Sequence, residues 1–199
     1  MLKKIGLICM IGLAILSLIA CGPEPDAAPS EGMTGEASPA PLLAPALTSE
    51  QLIQFNEYIP SIRKASLIKI AEIRNQNEAH IQYFSNFSEY QTATTGIHLT
   101  EAEFKSYFPL MDTINKTLME ESIRLLWEFP AITRITMKIP YHNKIYTIDT
   151  SKRSIENYLK INFKKIHNEP SQKQWKELKK KYFTAKEREK FSIRFIRNS

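Results

Sequence analysis

Residues 49–199 predict an α+β fold: a helix-rich domain with a small antiparallel sheet built around a β-hairpin. Three observations predict it. Apolar residues recur every three to four positions from Leu52 to Ile73 and again from Phe104 to Phe129, and a capping pair opens each run. Over 131–150 the spacing switches to strict alternation. From residue 151 the helical spacing returns. Helices and strands thus come in blocks, the arrangement of an α+β domain with its helices set against an antiparallel sheet.

The first block, 48–84, opens with Thr48 and Gln51 in capping-box spacing. Leu52, Phe55, Ile59, Ile62, Leu67, Ile70 and Ile73 then predict a helix kinked or broken at Pro60. The polar stretch 85–98, rich in Ser and Thr, predicts a loop. Thr100 and Glu103 form the second capping pair, and Pro109 divides the next block into helices over about 100–108 and 109–128. Pro130 closes it. Ile135, Met137 and Ile139 alternate with Arg134, Thr136 and Lys138, which predicts a half-buried strand. "YHN" makes the turn and "KIYTID" returns as its partner. Ile155, Leu159, Phe163 and Ile166 predict one helix over 151–167, and Trp175, Leu178 and Tyr182 face inward on a second over 171–183. Thr184 and Glu187 cap a last turn. The alternation Phe191, Ile193, Phe195 predicts a third strand over 191–196.

The first 48 residues have a different character. "MLKK" precedes sixteen residues without a charge, 5–20. That is short of the about 20 needed to cross a bilayer and close to the apolar stretch of a secretory signal. It ends in Leu18-Ile19-Ala20-Cys21, which resembles the lipobox of bacterial lipoproteins. The resemblance implies that residues 1–20 are a signal peptide and that the Cys21 thiol carries diacylglycerol after cleavage before it. It also implies a mature chain held on the membrane, outside the cytoplasm. Gly22 follows, where an aspartate resembles an inner-membrane retention signal in enteric bacteria. The outer membrane is therefore the expected address in a cell with two membranes. Residues 22–48 hold six of the eleven prolines and no Lys or Arg. With Cys21 at its foot, the 21–48 segment predicts a Pro/Ala-rich tether, because such a density of proline excludes a regular helix or central strand.

Charge and cysteine content bound the function. The net charge of +6 comes from the C-terminal quarter: residues 150–199 carry fifteen basic and five acidic side chains, whereas 51–149 carry ten and eleven. Beyond Cys21 the chain has no cysteine, which excludes disulfides, cysteine-ligated zinc and a cysteine nucleophile from the domain. The four histidines stand outside known metal spacings; His98, Glu101 and Glu103 read as a loop residue and first-turn acids facing the helix dipole. GxSxG, phosphate-loop and dinucleotide patterns are absent from the sequence. No cofactor or metal is expected. Asp149 reads as a helix cap beside "TSKR". His142, with Tyr141, Asn143 and Lys144, stands at the hairpin tip, a position suited to contacting a partner.

The remaining lead is a candidate anion-binding set of Lys176, Lys179, Lys180, Lys181 and Arg188, interleaved with aromatics. In an envelope lipoprotein its partners would be a protein or an anionic envelope polymer; nucleic acid would suit only an uptake or transfer role. The expected function is therefore a lipid-anchored, non-catalytic interaction domain. The alternatives are a cell-wall hydrolase or a protective factor against an incoming toxin or conjugation partner.

Overall fold

The computed structural model describes residues 46–96 and 99–199. Cys21, the signal peptide, the tether up to residue 45 and His98 lie outside the described residues. Helix α1 (Ser49–Tyr58) starts at Thr48, whose capping box with Gln51 forms as predicted. Two 3-10 turns, Ile59–Ser61 and Ala65–Leu67, follow at Pro60. Strands β1 (Ile68–Arg74) and β2 (Glu78–Tyr83) come next. Helices α2 (Phe87–Ala93), α3 (Glu101–Ser106) and α4 (Met111–Glu128) lead to β3 (Arg134–Tyr141) and β4 (Lys144–Ser151). The chain ends in α5 (Lys152–Leu159), α6 (Phe163–His167), α7 (Lys173–Tyr182), α8 (Ala185–Phe195) and β5 (Ile196–Asn198).

The five strands form one sheet in the order β1-β2-β3-β4-β5. The pairs β1–β2, β3–β4 and β4–β5 are antiparallel, but β2 and β3 run parallel, joined by the α2–α4 crossover. The fold is α+β with the expected hairpin inside it, and the sheet is larger than predicted and mixed. Ala79, Ile81, Tyr83, Ile135, Met137 and Ile139 project from its inner face and are buried. The outer face is polar, as one-sided packing requires. Along it, Arg134 pairs with Asp149 at 2.7 Å, and the Thr136 hydroxyl donates to the same carboxylate at 3.1 Å.

Five expectations are corrected. Residues 68–83 form a β-hairpin rather than a helix. A register shift between Ile68 and Ile70 breaks the alternation of β1, so its apolar residues fall at the three-residue spacing of a helix. Its tight turn is set by Asn75 and Gln76, with φ of 46° and 69°, rather than by glycine. The predicted loop 85–98 contains α2, capped by the Asn86 side chain on the Glu89 amide. Phe191 and Phe195 belong to α8, one turn apart, and β5 begins only at Ile196. Asp149 lies within β4, which runs two residues further than expected, and Ser151 caps α5 instead. The helix expected over 151–167 is two helices, because Lys160 adopts a left-handed conformation (φ 56°) and stops α5.

Helix α4 is the hub. Ile114, Leu118, Met119, Ile123, Leu125 and Leu126 are all fully buried, meeting β3 on one side and α6 and α8 on others.

Candidate functional site: an aromatic cleft, a buried charge cluster and a basic face

Three features outside the uniform core carry the chemistry. The first is a cleft of about 410 Å³ at the end of the sheet where β2 stops and the β3–β4 hairpin turns. Leu67, Phe84 and Phe108 form its buried floor. Phe104, Pro109, Pro140 and Tyr141 form the walls, and Ser85, Lys105 and His142 stand at the rim. Local structure makes this cleft firm. The Phe84 amide donates to the Leu67 carbonyl at 2.9 Å, and Phe84 and Phe104 each pack against Tyr90, at 5.4 and 5.6 Å between centroids. Tyr83 meets Phe108 edge-on at 5.6 Å. The hairpin tip is a two-residue turn in which His142 and Asn143 both have positive φ, 47° and 59°. Its twist matches that of the strands and lays the imidazole 4.0 Å from the Tyr141 ring. Of the tip residues singled out in the sequence, Tyr141 and His142 line the cleft and Lys144 begins β4.

The second feature lies on α4. Glu120 and Glu121 are each only 3% exposed. Glu120 contacts Arg63 at 3.3 Å, Arg124 at 3.6 Å and Arg188 at 3.8 Å. Glu121 lies 3.7 Å from both Arg63 and Arg124. Arg188 also donates two bonds to Asp112, at 3.1 and 2.9 Å. Three carboxylates thus meet three guanidiniums, and the cluster is neutral. Burial raises the Glu121 pKa above the ordinary carboxylate value, against the opposing pull of Arg124 and Arg63. Burial, helped by Glu121 and Glu128, likewise raises the Tyr58 phenol. Sequence spacing missed this cluster because its members come from the α1–β1 connection, from α4 and from α8.

The third feature is the basic face. Lys176 and Lys180 share one side of α7 and are exposed, as are Lys164 and Lys165 on α6. Lys179 and Lys181 lean over the rings of Trp175 and Tyr182, at 5.4 and 4.9 Å. Between Lys160 and Lys181 there are eight lysines and two glutamates. Trp175 and Leu178 turn inward as expected, and Trp175 stacks on Trp127 at 4.4 Å with ring planes 4° apart. Arg188 does not belong to this face: Asp112 and Glu120 already hold it, so it is removed from the predicted anion-binding set.

No family model, curated protein or solved structure matches this chain.

Among the described residues, no group of three or more His, Cys, Asp or Glu is placed to hold a metal ion. Among the same residues, no helix is long and apolar enough to cross a membrane. The Asp149 carboxylate is occupied by Arg134 and Thr136, and both interactions lower its pKa.

Proposed function

We propose that the chain is a lipid-anchored cell-envelope lipoprotein whose domain is a non-catalytic interaction module for an anionic envelope polymer. The observation that carries the binding half is the α6–α7 face. Lys164 and Lys165 on α6 and Lys176 and Lys180 on α7 are exposed, and Trp175 anchors α7 by stacking on Trp127. An array of ammonium groups on a firm support attracts a polyanion over a range set by the Debye length, about 10 Å at moderate salt. The anchoring half rests on the resemblance of "LIAC" to a lipobox and on the proline-rich segment after it.

Each half has its own test. Replacing Cys21 with Ala abolishes incorporation of labelled fatty acid and leaves a longer, uncleaved chain; normal labelling of C21A refutes the anchor. Residues 22–199, produced without the leader, bind anionic vesicles or a teichoic-acid polymer at low salt and elute as salt rises. The double variant K176E/K180E loses that retention. Retention that ignores salt, or that survives the double variant, refutes the electrostatic role.

A further inference from the structure

The geometry points to a second binding site, independent of the basic face. The cleft at the β3–β4 tip takes a small amphiphilic acid, a molecule with an aliphatic or aromatic body and one anionic head. The volume, about 410 Å³, falls in the range of small-ligand sites, which are concave, mostly apolar and supplied with a few polar groups. Here the division is sharp. In the wall the Tyr141 hydroxyl donates to the Pro109 carbonyl at 3.5 Å, the buried floor is apolar, and the exposed side chains of Ser85, Lys105 and His142 stand at the mouth. Those side chains are donors: the Lys105 ammonium, the Ser85 hydroxyl and an imidazole N–H of His142. A body excluded from water and a head that accepts hydrogen bonds at the mouth is the ligand these walls fit.

Two further observations support a site rather than a surface dent. The ring contacts around Phe84, Phe104 and Phe108 hold the walls in place before a ligand arrives, which removes part of the ordering cost of binding. Lys105 is held at 2.7 Å by the Glu101 carboxylate one helical turn away. Both side chains are more than half exposed, so this pair is weak and exchangeable, and the Lys105 ammonium is free to turn to the acid head of a ligand.

Two naphthylamine dyes test the assignment on residues 22–199: anilinonaphthalene sulfonate, with one anionic group, and uncharged phenylnaphthylamine. Both saturate a single site, and decanoate displaces both. Ser85→Trp fills the mouth from an exposed position and weakens both dyes at least tenfold, while vesicle retention by the basic face persists. Lys105→Glu weakens the sulfonate about fivefold, the scale of an exposed charge contact, and leaves the uncharged dye unchanged. Near-ultraviolet circular dichroism establishes that both variants keep native packing. Absence of saturable binding, or binding that survives S85W, overturns the site. Equal loss of both dyes in K105E overturns the anionic head. Crosslinks from a partner protein to Phe104 or His142, without dye binding, reassign the cleft to a protein contact and overturn the proposal.

Discussion

The Glu120 carboxylate joins three parts of the chain, and removing its charge tests how far that joint holds the domain together. In Glu120→Gln the side chain keeps its shape, but Arg63, Arg124 and Arg188 lose their shared counter-charge. Breaking one buried ion pair costs about 3–5 kcal/mol when the surviving charge stays dry. Two facts reduce that figure here. Arg63 and Arg124 are 31% and 33% exposed, so water recovers part of their solvation. Arg188 is 11% exposed but retains its two bonds to Asp112. Glu121 also remains beside Arg63 and Arg124. The expected loss is about 2 kcal/mol, which for a domain of roughly 150 residues lowers the melting temperature by about 4–8 °C. Thermal unfolding followed by far-ultraviolet circular dichroism, together with a urea midpoint, measures it. A melting temperature within about 1 °C of the parent, with an unchanged urea slope, would refute the claim that this cluster ties α8 and the α1–β1 connection to α4.

Three other perturbations have defined outcomes. Gln76→Gly relieves a side chain held at φ 69° and raises stability by about 1 kcal/mol in urea titration, whereas the same change at an ordinary loop position lowers it. In the folded state Glu121 holds its proton more tightly than in the unfolded chain. Its contribution is therefore fully present below the unfolded value and is lost as pH rises through the raised folded one. Relative to Glu121→Gln, the parent gains stability on acidification through that window, and parallel pH–stability curves for the two proteins would contradict this. Phe191→Ala costs about 3–5 kcal/mol, because the ring is fully buried, while Ile193→Ser changes stability by less than about 0.5 kcal/mol, because Ile193 is 75% exposed. Comparable losses at the two positions would indicate a strand with both side chains inward.

Local signals translated well wherever one physical cause acted alone. The Thr48 and Thr100 capping boxes, the break at Pro109 and the β3–β4 hairpin all depend on residues close in sequence, and all form where the spacing places them. Misreadings arose where two causes competed. At Ile68–Ile70 the bulge disguises a strand as a helix. At Asn75–Gln76 two residues other than glycine make a turn that glycine usually signals. At Phe191–Phe195 an alternation of period two conceals a pair one helical turn apart, and only the exposure of Ile193 reveals it. The sites divide in the same way. The lysines of α6 and α7 lie on consecutive helices, so their clustering was legible, as was the exposed hairpin tip. The cleft draws on a 3-10 turn, the end of β2, α3 and the hairpin, and the charge cluster on residues from Arg63 to Arg188. Neither has a one-dimensional signature.

The described chain enters the domain at one end of the sheet. Leu47 is buried, and its amide donates to the Gln76 carbonyl in the β1–β2 turn at 2.9 Å. The cleft lies at the other end, past Tyr83 and Tyr141, separated by the length of β2, about 20 Å. A pull between the point of entry and whatever occupies the cleft therefore runs along β2 and β3 and not across them. Ladder hydrogen bonds lie across that direction, so they bear the pull together, in shear, instead of opening one after another as in a zipper. Mechanically, the sheet is a strut loaded lengthwise.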